Sequence, residues 1–256
     1  MDFTPVITQV WSMFAWILPL VLIVGIFKSS WFKGILGEWL VRWVARRRLD
    51  KHVYRAVHNV TLKTPDGTTQ IDHVLLSPYG CFVLETKHMK GWIFGSEKQA
   101  RWTQKLHRRS FSFQNPLRQN YKHLKALEAT LGVPSEYLHS VIIFVGSAVL
   151  KTEMPPNVTR GTGFVLYIRS FATPVFSESQ VEAMHEALLT GRLAPTLATH
   201  RAHVKHLKQR NESPATRQCP KCGSAMVVRV VKSGPKQGQQ FLGCSTFPQC
   251  RVTQAL

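Results

Sequence analysis

The chain opens on an unbroken apolar stretch. From Phe3 to Phe27 no Asp, Glu, Lys or Arg appears, and Val, Ile, Leu, Phe and Trp dominate. As a helix, such a run rises about 1.5 Å per residue and spans a hydrocarbon core of about 30 Å. Trp11 and Trp16 suit the two interfaces, and Pro19 is tolerated in a membrane helix. The pattern therefore predicts a transmembrane anchor over residues 1–30. A cleaved signal peptide fits less well, because the leading positive segment is missing.

Beyond it the period changes. Gly34 to Arg48 predicts an amphipathic helix, with Trp39, Leu40, Trp43 and Val44 on one face and Arg42, Arg46 and Arg47 mostly on the other. Four segments then read as strands: His52–Leu62, Gln70–Ser77, Cys81–Lys87 and Gly91–Phe94. Turn chemistry at Pro65-Asp66-Gly67 and Ser77-Pro78-Tyr79-Gly80 joins them as hairpins. Asn115-Pro116 supplies a cap and first-turn pair for a helix to about Leu131. Val141–Val145 is wholly apolar, as in a strand covered on both faces. Gly163–Ile168 predicts another strand and Ser179–Leu189 a last helix. The expected class is α/β, a mixed sheet flanked by helices over residues 34–190.

Charge adds a partner. With 33 Lys+Arg against 14 Asp+Glu, the formal net charge is +19. Such an excess implies a polyanion: nucleic acid or an anionic membrane face. Every cation lies at or beyond Lys28. Lys28, Lys33, Arg42, Arg46, Arg47, Arg48 and Lys51 follow the apolar run, so the positive-inside rule puts the body in the cytoplasm. The expectation is a single-pass protein of a bacterial-type inner membrane. Residues 191–217 hold Arg201, Lys205, Lys208, Arg210 and Arg217 with His200, His203 and His206. They read as a basic linker, the histidines as part of a solvated charge run rather than a metal site.

Four of the five cysteines cluster at the C-terminal end: Cys219-Pro-Lys-Cys222-Gly223 and Gly243-Cys244 through Cys250. Two close pairs suit four thiolates around tetrahedral Zn2+, each pair coming from one turn. Gly223 and Gly243 let backbone NH groups turn toward the sulfurs. Residues 218–256 are too few to bury a sufficient core, so metal would supply their folding free energy. Cys81, in an apolar run, reads as core rather than nucleophile.

A second constellation lies along one hairpin, Asp72 through Glu85-Thr86-Lys87. Glu85 and Lys87, two apart on a strand, share a face. A two-residue Pro78-Tyr79 loop would set Asp72 opposite Glu85, whereas a bulge at Gly80 would part them. Paired carboxylates suit Mg2+ with open positions for water and a phosphate oxygen. A neighbouring lysine can orient or deprotonate that water. Taken alone, this spacing is a weak pattern that reads first as a surface salt bridge.

Two resemblances extend these readings. The ribbon wording, Cys-Pro-Lys-Cys-Gly followed by Phe241-Leu-Gly-Cys-Ser-Thr-Phe247-Pro-Gln-Cys250, resembles the zinc ribbons of bacterial type IA topoisomerases. That likeness implies single-stranded DNA binding. Phe241 and Phe247 would offer stacking faces, and Lys221, Arg229, Lys232, Lys236 and Arg251 would track phosphates. Phe247 has an equally plain alternative, packing the small core. In the body, Gly37-Glu38, Ile71-Asp72-His73, Val83 to Lys87, Gly91 to Gly95, Trp102, Asn115-Pro116 with Gln119, and Val141 to Gly146 form an ordered series. It resembles the nuclease-related domain (NERD), a branch of the restriction-endonuclease-like nucleases, over residues 34–146. The resemblance implies nuclease roles for Asp72, Glu85 and Lys87, a further metal-facing carboxylate in Glu38, and a water- or phosphate-steadying role for Gln119. The plain alternatives are a Glu38–Arg42 pair and a helix-capping Gln119. His73, His88 and Trp102 read as packing or substrate contacts. The expected protein is a membrane-anchored, Mg2+-dependent nuclease acting on nucleic acid, with DNA the expected form. The alternatives are a non-catalytic membrane-tethered nucleic-acid receptor, and a protein whose charge serves anionic lipid while its ribbon binds protein.

Overall fold

The computed structural model describes residues 17, 21, 24–65, 67–194, 196, 198–199, 201–202, 204, 218–231 and 239–255. Most of the apolar run read as an anchor lies outside these residues, as do His200, His203 and His206. Among the described residues no helix is long and apolar enough to cross a membrane.

Helix α1 (Ser30–Arg48) begins where the Ser29 hydroxyl accepts the Phe32 amide. Its core-facing stripe is not the one the sequence suggests. Val41, Val44, Ala45 and Leu49 are buried, while Trp39 and Trp43 stay 55% and 46% exposed. Gly37 decides this: a Cβ there would meet Val145 Cγ2 at 2.9 Å and His88 Cβ at 3.2 Å. The bare glycine lets the helix lie close on the sheet, which turns the tryptophans outward.

That sheet contains β1 (Arg55–Thr64), β2 (Gly67–Ser77), β3 (Gly80–His88), β7 (Leu138–Val145) and β9 (Val158–Arg160), in that order. The first three form an antiparallel meander, and β7 and β9 continue it in parallel. Parallel strands belong under cover on both faces, and Val141 to Val145 are all buried. On one face, Leu75, Phe82, Leu84, Val141 and Ile143 pack against α1 and α3 (Gly163–Arg169). On the other, Val57, Leu62, Val74, Leu76 and Val83 pack against α2 (Pro116–Leu131) and α4 (Glu178–Gly191). The class is mixed α/β.

A second sheet, order β6-β5-β4-β8, leans on the far end of the first. It is built from β4 (Gly91–Phe94), β5 (Arg101–Leu106), β6 (Arg109–Gln114) and β8 (Ala148–Leu150). Ile93 and Trp102 close a small core with Ile142 and Phe144. Trp102 is therefore a packing residue, its indole NH held by Ser96 O at 2.9 Å.

Two expectations are corrected. Gly163–Ile168 is helical, not a strand: Phe164, Val165 and Ile168 are buried while Leu166 is 74% exposed. Burial at i, i+1 and i+4 is a helix stripe, which a short apolar run conceals. The first strand starts at Arg55, not His52, because the Asp50 carboxylate accepts the His52 amide and holds residues 50–53 in a turn.

Candidate functional site

The hairpin between β2 and β3 turns through Pro78-Tyr79 alone, with Ser77 paired to Gly80. Gly80, at φ 131°, takes the backbone shape this tight turn needs. The register runs without a bulge to His73 opposite Leu84. Just beyond that last pair, the Asp72 Oδ2 accepts the amide of Thr86, the residue after Glu85, at 2.8 Å. The two-residue loop foreseen as one alternative is the one formed, and Glu85 lies near enough to Asp72 for its charge to act on it.

Glu85 is buried and not alone. Lys87 Nζ lies 2.6 Å from Glu85 Oε1 and donates to Gln119 Oε1 at 2.9 Å. Gln119 consequently does not cap α2. Asn115 does that, accepting the Leu117 amide while its Nδ2 donates to the carbonyls of Ser96, Glu97 and Gln99. The other Glu85 oxygen, Oε2, sits 3.2 Å from His123 Nε2, at an angle too poor for a hydrogen bond. His123 is fixed from behind, its Nδ1 2.7 Å from the Thr69 hydroxyl. The sequence reading missed His123, although it lies one turn beyond Gln119 on the same helix face. Asn120, between them, donates to Val83 O and to the Ser140 hydroxyl, locking α2 over β3 and β7.

Glu38 comes from the opposite face of the sheet, on α1. Among the described residues it makes no ion pair, with Arg42 or otherwise. Burial raises its pKa; Arg42 pulls the other way and Glu85 adds to the rise. Asp72 is raised well above the usual carboxylate range, first by burial, then by the charges of Glu85 and Glu38. Burial pushes Glu85 up too, but Lys87 and His123 outweigh it and its pKa is lowered. Glu85 thus holds its charge while Asp72 resists ionising beside it.

This donor set fits a hard divalent cation. Oxygen ligands are right for Mg2+, which needs only one or two carboxylates beside water and phosphate. Glu85 Oε2 makes no directed hydrogen bond, and a cation would offset the burial and the carboxylate repulsion that raise the Asp72 pKa. Nearby, His73 and His58 pair through Nδ1 atoms 3.0 Å apart. Burial, aided by Arg42, lowers their pKa values to about 3 and about 4, so both are neutral packing groups. Cys81 is buried beside Met184, and burial pushes its thiol up to about 12, too high for a nucleophile.

The ribbon is a separate three-stranded sheet, β10 (Met226–Val230), β11 (Gln240–Cys244) and β12 (Thr253–Ala255). Cys219, Cys222, Cys244 and Cys250 place their sulfurs within 4.8 Å of one another. The closest pairs are Cys219–Cys250 at 3.5 Å and Cys222–Cys244 at 3.4 Å. A tetrahedral zinc with Zn–S of about 2.3 Å spaces its sulfurs by about 3.8 Å, so the cluster fits zinc closely. Gly223, at φ 77°, forms the expected turn. Gly243 instead makes room for Arg229, whose Cδ would lie 2.9 Å from an added Cβ. Arg229 also stacks over Phe247 at 5.4 Å. Phe247 is 55% exposed, so it does not pack the core; Lys221 and Arg251 are exposed and Phe241 half-buried. Lys232 and Lys236 lie outside the described residues.

A β-hairpin that draws two acids and a lysine together, followed by a four-thiol ribbon, belongs to the nuclease-related class. Over residues 33–145 the chain matches the nuclease-related domain, and over 216–256 the topoisomerase DNA binding C4 zinc finger. The chain is a member of the nuclease-related domain family. It is 50% identical over 199 residues to an uncharacterized protein of Bacillus anthracis, covering 75% of this chain and 91% of that one. These matches point to a nuclease-related function and to nucleic-acid binding.

Proposed function

We propose that this protein is a membrane-anchored nuclease that hydrolyses phosphodiester bonds on the cytoplasmic face of a bacterial-type inner membrane. Its body has a restriction-endonuclease-like arrangement, and its ribbon grips single-stranded nucleic acid. The observation that supports the reading is the bulge-free hairpin on which Asp72 accepts the Thr86 amide and Lys87 pairs with Glu85. Asp72 and Glu85 would hold Mg2+, which supplies charge stabilisation on the phosphate and a more acidic water. Lys87, steered by Gln119 and Glu85, orients the attacking water and offsets negative charge building on the phosphate oxygens. His123 lies beside the Glu85 carboxylate and favours its charged form, and Glu38 adds negative potential from α1. The anchor rests on the uncharged run Phe3–Phe27, and its orientation on the cations that follow. Domain limits follow the same reading: anchor 1–30, nuclease-like body 34–190, basic linker 191–217 and ribbon 218–256.

The test is incubation of the full chain in detergent with labelled single- and double-stranded DNA and RNA, with and without Mg2+. Mg2+-dependent cleavage that Glu85→Gln abolishes supports the proposal. Binding without cleavage, unaltered by Glu85→Gln, supports instead a non-catalytic receptor. One observation favours that second reading: among the described residues only the cysteines form a group of three or more preset metal ligands.

A further inference from the structure

The ribbon is not the only surface here that suits a nucleic-acid strand. The outer face of the second sheet carries Trp92, with Lys105 directly opposite on β5. Trp92 is 47% exposed, and two ammonium groups flank its ring: Lys151 at 4.8 Å and Lys105 at 5.9 Å. Around the end of the sheet runs a cleft of about 890 Å³ that adds Lys90, Arg108, Arg109 and the exposed ring of Phe111. The β5–β6 turn presents two of these cations: His107 adopts φ 50° and Leu106 pairs with Arg109. No carboxylate lines the cleft, and among the described residues none of its cations is in an ion pair.

Cation–π contacts offset only part of the cost of gathering unpaired cations around exposed aromatic rings, since like charges repel and large apolar rings favour burial. Together they form the combination that holds single strands: flat faces for bases, with ammonium and guanidinium groups at the rim for phosphates. Magnitudes allow the exchange. A base stacked on an aromatic ring contributes more than an exposed cation–π contact does. A base can therefore displace one lysine from Trp92, leaving that ammonium free to meet a phosphate.

The position matters as much as the chemistry. Lys90 and Trp92 lie only three and five residues after Lys87, and β3 passes almost directly into β4. Three extended residues span at most about 11 Å, so the cleft opens within a few nucleotides of Glu85 and Lys87. We infer that the Trp92 cleft is a second binding site for single-stranded nucleic acid, which guides a strand toward the β2–β3 hairpin. The inference rests on the partner being nucleic acid, not on its being cut.

The experiment uses the full chain in detergent with a bromodeoxyuridine-substituted oligonucleotide, photocrosslinked and mapped by mass spectrometry. Adducts at Trp92 are expected; adducts confined to Phe241 and Phe247 overturn the inference. Affinity is then measured in the full chain carrying Cys219→Ser and Cys222→Ser, which removes the ribbon's grip. In that background Trp92→Ala should weaken oligonucleotide binding at least about fivefold, and Trp92→Phe should restore most of it. Lys105→Gln with Lys151→Gln should flatten the dependence of log affinity on log salt by about one to two. Affinity unchanged by Trp92→Ala overturns the cleft. Because only binding is read, absence of cleavage leaves this result intact and counts against hydrolysis alone.

Discussion

The nuclease-like body and the ribbon hold their polar groups in opposite ways. In the body, Glu85 and Asp72 lie on a hydrophobic sheet whose two faces carry twenty-eight buried apolar side chains. In the ribbon the sulfurs are themselves the core: among the described residues, three of the four cysteines cluster with Met226, Leu242 and Val252. The body has a core that holds it together without any ion. The ribbon has no comparable core to fall back on, so its metal is its fold.

The largest expected effect breaks the ribbon alone. Cys244→Ser, or a strong zinc chelator, should take bound zinc from one equivalent to none and abolish amide protection in β10 and β11. The thermal transition of the body should stay in place; elemental analysis and hydrogen exchange check both. A change in the body tests the site in turn. Glu85→Gln should slow cleavage at least about 100-fold, read as product per time in Mg2+, with zinc content unchanged.

Asn115→Ala separates packing from chemistry. It strips α2 of its cap and frees three loop carbonyls, so it should cost about 2–3 kcal/mol in denaturant unfolding. Cleavage should fall with it, because α2 carries Gln119 and His123.

Asp72→Asn should stabilise the metal-free body near neutral pH. The sign follows from its raised pKa. An acid whose folded pKa exceeds its unfolded value disfavours folding once it must ionise, so wild type loses stability as pH rises from 3.8 through the folded pKa. The variant's advantage is therefore present above that pKa and disappears as pH falls below it, where wild type is protonated too. Thermal midpoints across pH in chelator-free, Mg2+-free buffer give the comparison.

The smallest effect on stability belongs to Phe247→Ser, which removes an exposed ring: within about 0.5 kcal/mol. Binding of a single-stranded oligonucleotide should nonetheless weaken about fivefold.

The same contrast explains what the sequence disclosed. Cysteine spacing is local, so the ribbon cluster was legible from four letters and their intervals. The hairpin pair was half legible: Pro78-Tyr79 allowed two registers, and only the paired strands chose between them. His123 was hidden because its link to Glu85 joins a helix to a strand thirty-eight residues earlier. Local pattern failed where tertiary packing ruled. The tryptophans of α1 looked like a core face until Gly37 set the helix's rotation, and Gly163–Ile168 had an apolar run that either period can claim. The β5–β6 hairpin, polar on its outer face and closed by His107-Arg108 rather than a glycine turn, carried too weak a strand signal to be foreseen.

The most direct test of the central claim is a Mn2+ titration of the zinc-loaded full chain by electron paramagnetic resonance, with Mn2+ standing in for Mg2+. The account predicts one saturable site in wild type, lost or greatly weakened in both Asp72→Asn and Glu85→Gln. Mn2+ binding that is absent from wild type, or unchanged in both variants, would contradict it.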